Sequence, residues 1–507
     1  MKLNKKQSYS YIFEKQERKV PAPETLMLIP RELVEEFQVF IFDKKGKKVE
    51  VAAVDPENEL LRRFMKERFG DNVKWFSAKK DDISFVLKHY THDFKEDISR
   101  LIALGVGTSG NIVDLADSII GYAVAEGASD IHLEPGRAES IIRFRIDGVL
   151  HKVLTLPRDI HLAVVARFKL MANLKIDDYR HPQDGRIELE RIVNTSLRVS
   201  TMPTLYGEKI VLRILDDSHK DLSIRHLGFS EEQEKTIIKN IEKPFGMIVA
   251  SGPTGCGKTT TLYGLLHLLK KDRINISTLE DPVEYAVDGV NQIQINPRSN
   301  FTFASGLRSL LRQDPDVMMV GEIRDSETAI MASEAALTGH LVLTTLHTND
   351  AISVITRFLE MKVEEFAVAS TLNLVVAQRL VRKVCDVCGK ETVLDEVILK
   401  KIKERKDITN ALQFIGKDVN KLTEQKFLIG RACDACMHTG YRGRVGIFEV
   451  LEANKAIYDL IIEHASSEKI KTEAKKNGFY EMIIDGLEKV FSGTTTFEEV
   501  LRATRNN

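Results

Sequence analysis

The second half of the chain alternates short, mainly apolar runs with longer stretches of helical periodicity. The apolar runs cover residues 247–250, 274–279, 317–320 and 341–345 and predict buried strands. Strands that are apolar on both faces are typical of a parallel sheet covered by helices on both sides. The pattern therefore predicts a parallel α/β domain over residues 228–380.

The first part of the chain has a different pattern, in which short strands surround one amphipathic helix. The predicted elements are strands over residues 39–42, 49–54 and 73–76 and a helix near 59–69. Together they predict a small α/β domain over residues 26–95. The preceding residues, 1–25, are polar and charged, and a loosely ordered lead-in is predicted there.

A segment rich in glycine and serine marks the start of a second domain. Because of this composition, a linker is predicted over residues 96–110, and Asn111 is expected to cap the helix that follows. Alternating strands then predict a second α/β domain over residues 111–225. Its predicted elements are strands over residues 141–146, 196–200 and 210–215 and a helix over 160–174.

Composition and charge limit the class of protein. A chain of 507 residues with 43% apolar residues predicts several globular domains. The net charge of -1 provides no global attraction to nucleic acid or to anionic membranes. The chain has no signal-peptide-like apolar segment and no apolar stretch near ~18 residues, so we expect a cytoplasmic protein that reaches a membrane only through partners.

A glycine-rich segment lies between the first strand of the parallel domain and the helix after it. It fits the pattern GxxxxGK[ST], in which backbone N–H groups and a lysine bind phosphate and a Thr hydroxyl, here that of Thr259, can bind Mg²⁺. The segment therefore predicts a nucleotide-binding P-loop. Its predicted binding residues are Gly252, Pro253, Thr254, Gly255, Cys256, Gly257, Lys258, Thr259 and Thr260.

Acidic residues follow two of the other predicted strands. Glu322 comes shortly after the strand 317–320, at the position of a Walker B acid, and an acidic segment from Glu280 to Glu284 follows another strand. The carboxyl ends of parallel strands meet at the sheet edge where ligands bind. We therefore expect these carboxylates beside the P-loop, where Glu322 would hold Mg²⁺ and a second carboxylate would polarise water. Solvated carboxylates are the alternative.

Two histidines flank the last predicted strand of the parallel domain. His340 precedes the strand 341–345 and His347 follows it. An imidazole near a γ-phosphate could sense whether ATP or ADP is bound. A histidine that is only hydrogen-bonded at a strand end is the alternative.

Arginines provide a further group of candidates, because phosphoryl transfer is accelerated by positive charge in the transition state. Arg308 and Arg312 lie four residues apart in a helical run and therefore on one side of it. Arg198 and Arg213 lie on separate predicted strands of the second domain. Each is otherwise a solvated surface residue.

Four of the five cysteines form two CxxC pairs, Cys385 with Cys388 and Cys433 with Cys436. Two such turns suit a tetrahedral Zn²⁺, so a zinc module is predicted over residues 381–445, followed by a helical region over 446–507. The distance between the pairs exceeds that of DNA-reading zinc fingers. Redox-active pairs and unbound thiols remain alternatives.

Together these motifs resemble the ATPases that power type II secretion and type IV pilus assembly. The resemblance covers about residues 111–450 and implies a RecA-like core preceded by two small α/β domains, the second of them PAS-like. The matching segments are the P-loop, the acidic box 280–284, residues 321–325, the histidine box 338–348, both CxxC pairs and, in the second domain, residues 127–132, 144–148, 183–186 and 198–208.

The resemblance also implies how the site residues act. ATP would be held in a homo-hexameric ring, between the RecA-like domain and a second domain of the same or a neighbouring chain. Glu284 looks like the hydrolytic glutamate, Glu322 like the Walker B acid and His347 like the histidine near the γ-phosphate, although the division of labour between the two carboxylates stays open. The arginines match positions that reach the nucleotide or the adjoining subunit, and they are Arg198, Arg213, Arg308 and Arg312.

Partners follow from the same resemblance. Related retraction ATPases usually lack the first domain and the cysteine module, so both features favour assembly or export. An inner-membrane platform protein and an adaptor are the implied partners, and the first domain is the expected docking site. The Arg-Leu-Gly motif with which some relatives bind cyclic di-GMP is absent from residues 1–110, so regulation by that nucleotide is unsupported.

Two other classes of function compete with this motor. A nucleic-acid translocase would share the RecA-like core, but no basic stripe interleaved with aromatic residues is found. A nucleotide-gated scaffold would bind ATP without hydrolysing it. Pilus assembly and protein secretion are not distinguished by the sequence.

Overall fold

The computed structural model describes most of the chain in two compact units. The described residues are 21, 25, 28–29, 31–45, 48–70, 72–87, 94–104, 109–189, 195–216, 224–296 and 299–505. One unit takes in the described residues of Met1–Phe144, Leu150–Gln183 and Ser200–Val211, and the other those of Arg145–Val149, Asp184–Val199 and Leu212–Asn507. Nearly all of the predicted lead-in over residues 1–25 lies outside the described residues.

The first domain forms a three-stranded sheet, as its alternating pattern predicts. β1 pairs antiparallel with β2, and β2 pairs parallel with β3. Buried Phe40, Val51, Leu61 and Met65 join the strands to helix α2 in one core, which explains why these positions are apolar. The elements are α1 (Arg31–Phe37), β1 (Val39–Lys45), β2 (Lys48–Ala53), α2 (Glu59–Phe69), β3 (Val73–Ser77) and α3 (Lys80–Leu87).

The region after it contains three helices and a six-stranded sheet. Two expectations were wrong: residues 96–104 of the predicted linker lie in helix α4, and Asn111 lies inside helix α5 rather than at its cap. Residues 105–108 of the linker lie outside the described residues, and 109–110 begin helix α5. The helices are α4 (Phe94–Leu104), α5 (Ser109–Ala125) and α6 (Arg158–Met171).

The six-stranded sheet has the order β6-β5-β4-β9-β8-β7. Its three predicted strands are present and longer than predicted, while β4, β6 and β7 were missed. Polar residues interrupt β4 and β7, which hides their alternation. The strands are β4 (Ala128–Pro135), β5 (Glu139–Ile146), β6 (Val149–Pro157), β7 (Gln183–Glu188), β8 (Thr195–Thr204) and β9 (Gly207–Asp216).

A seven-stranded sheet carries the parallel domain, in the order β12-β11-β13-β14-β10-β15-β18. All its pairs are parallel except β15 with β18, and every residue of β10, β13 and β14 is buried. The strands are β10 (Gly246–Ser251), β11 (Ile276–Glu280), β12 (Asn291–Gln294), β13 (Val317–Val320), β14 (Leu341–Leu346), β15 (Leu372–Val384) and β18 (Tyr441–Glu452).

Helices cover both faces of this sheet, and each face has its own apolar core. The α/β architecture with a parallel sheet is therefore confirmed. The helices are α7 (Ile224–Leu227), α8 (Glu231–Ile241), α9 (Lys258–Leu269), α10 (Phe303–Leu310), α11 (Ser326–Leu337), α12 (Ser353–Glu360) and α13 (Glu365–Thr371).

The cysteine-containing segment is inserted between the two antiparallel strands β15 and β18. Strands β16 and β17 pair antiparallel, and two helices pack beside them. The elements are β16 (Gly389–Val393), α14 (Glu396–Glu404), α15 (Lys406–Phe414), two 3₁₀ turns at Val419–Glu424 and Asp434–Cys436, and β17 (Lys426–Gly430).

Helices make up most of the C-terminal region, as predicted, although its first residues, 446–452, belong to β18. These helices are α16 (Lys455–Ile462), α17 (Ser467–Lys476), α18 (Met482–Phe491) and α19 (Phe497–Ala503). Across the part of the chain that the structure describes, no helix is both long and apolar enough to cross a membrane.

Candidate nucleotide-binding and hydrolysis site

The P-loop connects the end of β10 to the start of α9. Gly257 has φ 91° and precedes Lys258, the first residue of the helix, so the unpaired N–H groups of the first turn face the loop. A Cβ on Gly252 would lie 2.5 Å from the carbonyl oxygen of Gln378, which only a glycine avoids. Thr259 is exposed and Thr260 half-buried on that first turn. This geometry suits phosphate.

Lys258 is a buried cation at the centre of the loop. Its Nζ donates hydrogen bonds to the carbonyl oxygens of Gly252 at 2.8 Å and Pro253 at 3.1 Å. Burial lowers the pKa of Lys258, while the charges of Cys256 and Glu322 oppose that shift. Lys258 and Glu322 therefore lie close enough to interact electrostatically, as a shared phosphate and magnesium site would require.

Glu322 lies two residues past β13, at the edge of the sheet that carries the P-loop. Its Oε1 is 2.6 Å from Nη2 of Arg324, and its Oε2 is 3.6 Å from Nε2 of His347. The exposed His347 directly follows β14, so the structure brings together two residues that are far apart in sequence. A carboxylate and an imidazole thus adjoin the loop, as the sequence predicts.

Glu284 lies in the turn after β11 and is half-buried. Burial raises the pKa of its carboxyl, while the positive charges of Arg213 and Arg198 oppose the rise. Arg198 lies on β8 and Arg213 on β9, and both fall in the same compact unit as Glu284. These two arginines are therefore near the predicted hydrolytic carboxylate within one chain.

Glu280 differs from the expectation that it lies with Glu284 at the open edge. It is the last residue of β11 and is 2% exposed. Its carboxylate accepts hydrogen bonds from the hydroxyls of Tyr263 and Thr278 and from Nε2 of Gln292. These three donors hold the carboxylate of Glu280 inside the core. Glu280 therefore stabilises the start of the turn that carries Glu284 and is not available to a nucleotide.

Of the two histidines that flank β14, His340 lies away from the carboxyl edge of the sheet. It precedes β14, and its carbonyl accepts from the N–H of Gly246 at the start of β10, so it lies at the amino end of the strands. Its Nδ1 is 2.9 Å from the carbonyl oxygen of Ala335. The six residues of β14 at about 3.3 Å each separate it from His347.

Arg308 and Arg312 are exposed at the end of α10. Nη2 of Arg308 is 3.1 Å from a carboxylate oxygen of Glu327, and Nη1 of Arg312 donates to the carbonyl oxygen of Arg308 at 2.9 Å. Arg312 itself lies beyond the helix, which ends at Leu310. Among the described residues, neither guanidinium pairs with a carboxylate of the nucleotide site.

Two residues on β15 contact the P-loop region and were missed. Gln378 is 2% exposed, accepts a hydrogen bond from the hydroxyl of Thr261 at 2.8 Å and donates to the carbonyl of Cys256 at 2.7 Å. Arg379 donates to Asn349 and places its charge near Lys258. A polar pair that directly follows the apolar run 374–377 was the available signal.

The four paired cysteines converge in one cluster. The Sγ atoms of Cys385 and Cys433 are 3.9 Å apart, those of Cys388 and Cys436 are 3.9 Å apart, and all four lie within 4.8 Å of one another. Four thiolates at about 2.3 Å from a tetrahedral Zn²⁺ would be about 3.8 Å apart. The donor set and its spacing therefore fit zinc.

Two families match this sequence. The family described as "Type II/IV secretion system protein" matches residues 107–502, and the MshEN domain matches residues 9–97. The second match begins within the segment predicted as a lead-in.

Similar proteins and a solved structure agree with the larger match. The type IV pilus assembly ATPase PilB of Myxococcus xanthus is 38% identical over 95% of this chain and 87% of its own length. The type II secretion system protein E of Pseudomonas aeruginosa is 44% identical over 78% of this chain and 76% of its own. The pilus retraction motor PilT with bound ADP has a TM-score of 0.52 at 26% identity, over 76% of this chain and 96% of its own. The chain therefore belongs to the family of type II and type IV secretion system ATPases.

Proposed function

We propose that the chain is an ATPase motor that couples the hydrolysis of MgATP to pilus assembly or to type II secretion. The observation that carries this proposal is the convergence of Lys258, Glu322 and His347 at one sheet edge, with Glu284 in the turn after another strand of the same sheet. Relatives named as ATPases of both machines support it.

The chain's own residues suggest the following division of labour. The N–H groups of the P-loop and Lys258 bind the phosphates of ATP. Thr259 and Glu322 are the residues that would hold Mg²⁺, which would neutralise charge on the phosphates. His347 would sense the terminal phosphate through its contact with Glu322.

Glu284 is assigned to the attacking water. Its carboxyl is half-buried, and a raised pKa makes a carboxylate a stronger acceptor for a proton at neutral pH. Glu322 is already engaged by Arg324, which makes it the weaker candidate for a base. Arg198 and Arg213 near Glu284 would stabilise the charge that develops on the transferred phosphate.

A homo-hexamer would complete this site. Arg308 and Arg312 are exposed and engaged with their own helix and with Glu327 rather than with the P-loop. We assign them to the nucleotide or the interface of an adjoining subunit, as the family resemblance implies.

We propose that the cysteine cluster binds a structural Zn²⁺. Cys385, Cys388, Cys433 and Cys436 would hold it through four thiolates, and its chemistry there would be purely structural. The metal would link the beginning and the end of the segment inserted between β15 and β18.

Assembly or export is favoured over retraction. The match to the MshEN domain over residues 9–97 and the four-cysteine cluster support this choice, because related retraction ATPases usually lack both features. An inner-membrane platform protein and an adaptor bound by the first domain are the proposed partners, with the motor at the cytoplasmic face of that membrane. A nucleic-acid translocase is not favoured, because the net charge is -1 and the relatives are secretion and pilus proteins.

Phosphate release by the purified full-length chain tests the motor. Lys258→Ala and Glu322→Gln should each lower turnover by about 100-fold or more, because each removes a charge that acts on the phosphates or their metal. Wild-type turnover in both variants would contradict the proposal. ATP binding without any phosphate release by the wild type would instead favour a nucleotide-gated scaffold.

A further inference from the structure

The loop after β14 leads away from the nucleotide site toward the C-terminal helices. We call residues 347–351 the His347 loop. It starts at His347 beside Glu322 and continues through Asn349, which accepts from Arg379. It ends at Ala351, which is completely buried just before helix α12.

A buried carboxylate receives the end of this loop. Oε2 of Glu449 accepts the N–H of Ala351 at 2.9 Å, and Oε1 of the same side chain accepts the N–H of Met482 at 3.1 Å. Met482 is the first residue of helix α18. One side chain thus bridges the His347 loop and the start of a C-terminal helix.

The chemistry of this bridge requires a carboxylate. Two N–H donors from different elements need two acceptor atoms, and a glutamine amide offers only one acceptor and adds two donors. Glu449 is 7% exposed and forms no ion pair among the described residues, so these hydrogen bonds are the direct contacts that hold its ionised form. Burying a carboxylate in this way is costly, and an apolar residue would fill the space more cheaply.

Packing joins the same elements on a larger scale. Residues of α12 and the C-terminal helices share one apolar core, which contains Val354, Phe358, Ile457 and Met482. The first turn of α18 is tied a second time to β18, because Asp485 accepts the N–H of Phe448 at 2.8 Å. Ala351 belongs to the same core, and among the described residues the hydrogen bonds of Glu449 are the polar link between the His347 loop and α18.

We propose that Glu449 is a positioning residue that fixes the His347 loop to helix α18, so that a nucleotide-dependent shift of the loop moves the C-terminal helix. The inference rests on the proposed function, because it needs His347 to respond to the bound nucleotide. The C-terminal helices would then be the part of the molecule that moves when the bound nucleotide changes.

Charges around Glu449 support a bridge that responds to pH. Burial raises the pKa of Glu449 to about 7, the two N–H donors oppose the rise, and the carboxylates of Asp350 and Glu481 add to it. Lys471, which pairs with Glu481, also feels the charge of Glu449. The bridge needs the ionised form to accept twice, so it weakens as the pH falls through about 7.

Hydrogen exchange on the full-length protein tests the proposal. In the wild type, protection of amides in residues 482–491 should differ between a non-hydrolysable ATP analogue and ADP. In Glu449→Gln this difference should vanish, and the turnover number should fall about ten- to a hundredfold while KM for ATP changes little. In the wild type, the difference should also shrink from about pH 8 to about pH 6.

Matched variants separate positioning from a loss of stability. Asp485→Asn alters a buried carboxylate of the same helix without touching the His347 loop, and it should keep the nucleotide-dependent difference. Met482→Pro removes the second N–H at a helix position that tolerates proline, after Glu481 with φ -72° and ψ 149°. Met482→Ala loses only the side chain, so the difference should vanish in Met482→Pro and persist in Met482→Ala.

Three results would overturn the proposal. These are a persistent difference in Glu449→Gln, equal losses in Glu449→Gln and Asp485→Asn, and equal losses in the two Met482 variants. Phosphate release measured on the same wild-type samples keeps a failure of hydrolysis distinct from a failure of this coupling, because exchange follows nucleotide binding.

Discussion

The cysteine cluster and the nucleotide site are built in opposite ways. The cluster consists of two local CxxC turns that bring four thiolates within 4.8 Å in a single chain. The nucleotide site takes residues from the ends of β10, β11, β13 and β14, so it exists only after the sheet has formed. Two local turns that lie 48 residues apart in the sequence therefore make up one site, whereas the ends of four strands make up the other.

The two sites also differ in completeness. The thiolate spacing fits a metal without any further ligand. In the nucleotide site, Arg198 and Arg213 lie near Glu284, but Arg308 and Arg312 make their contacts elsewhere. The cluster therefore has its four sulfur atoms within one chain, whereas the proposed nucleotide site includes two arginines that we assign to an adjoining subunit.

The largest expected effect concerns the self-contained cluster. Elemental analysis should find about one Zn²⁺ per chain, and Cys385→Ser should unfold much of the segment 385–436, because structural zinc contributes about 10 kcal/mol or more to small modules. ATP binding by the P-loop should persist, as measured with a fluorescent nucleotide. Metal-free protein with an unaltered melting temperature would contradict a zinc site.

A comparison of the two histidines gives the next largest effect. His347→Ala should lower the turnover number about tenfold, which is about 1.4 kcal/mol in the barrier. His340→Ala should stay near the wild type, because His340 lies at the other end of β14. Steady-state phosphate release measures both variants. Equal losses of turnover would contradict a role that depends on the position of His347 at the carboxyl end of β14.

The smallest effect is a shift in pH dependence. Burial raises the pKa of Glu284 above 4.5. Because the base must be ionised, turnover should be lost on acidification at a higher pH than an ordinary glutamate would give. Arg198→Ala removes one charge that opposes the rise and should move the acidic limb of the turnover profile upward. An acidic limb that stays unchanged or moves to lower pH would contradict the assignment of Glu284 as the base.

The same contrast explains what the sequence could predict. The P-loop, four strands of the parallel sheet and the CxxC pairs follow from local patterns, and the structure has them near those positions, whereas β12, β15 and β18 were missed. The sequence offered both histidines that flank β14, and the structure separates them, because His340 lies at the amino end of the strands.

Tertiary hydrogen bonds were beyond the reach of sequence patterns. Glu280 belongs to an acidic segment, yet Tyr263 and Gln292 hold it in the core. Gln378 and Glu449 are polar residues next to apolar runs, and their importance depends on partners more than 30 residues away. Such contacts require knowledge of the register between β15 and β18.

Assembled mixtures of two inactive variants test most directly whether the nucleotide site is shared between chains. The double variant Arg308→Ala/Arg312→Ala keeps its own P-loop, and Lys258→Ala keeps its own arginines. Each alone should release phosphate at less than about a tenth of the wild-type rate. When the two are co-assembled in equal amounts, the account predicts recovery to several times the mean of the separate rates. No recovery, or full activity of the arginine variant alone, would contradict a shared site.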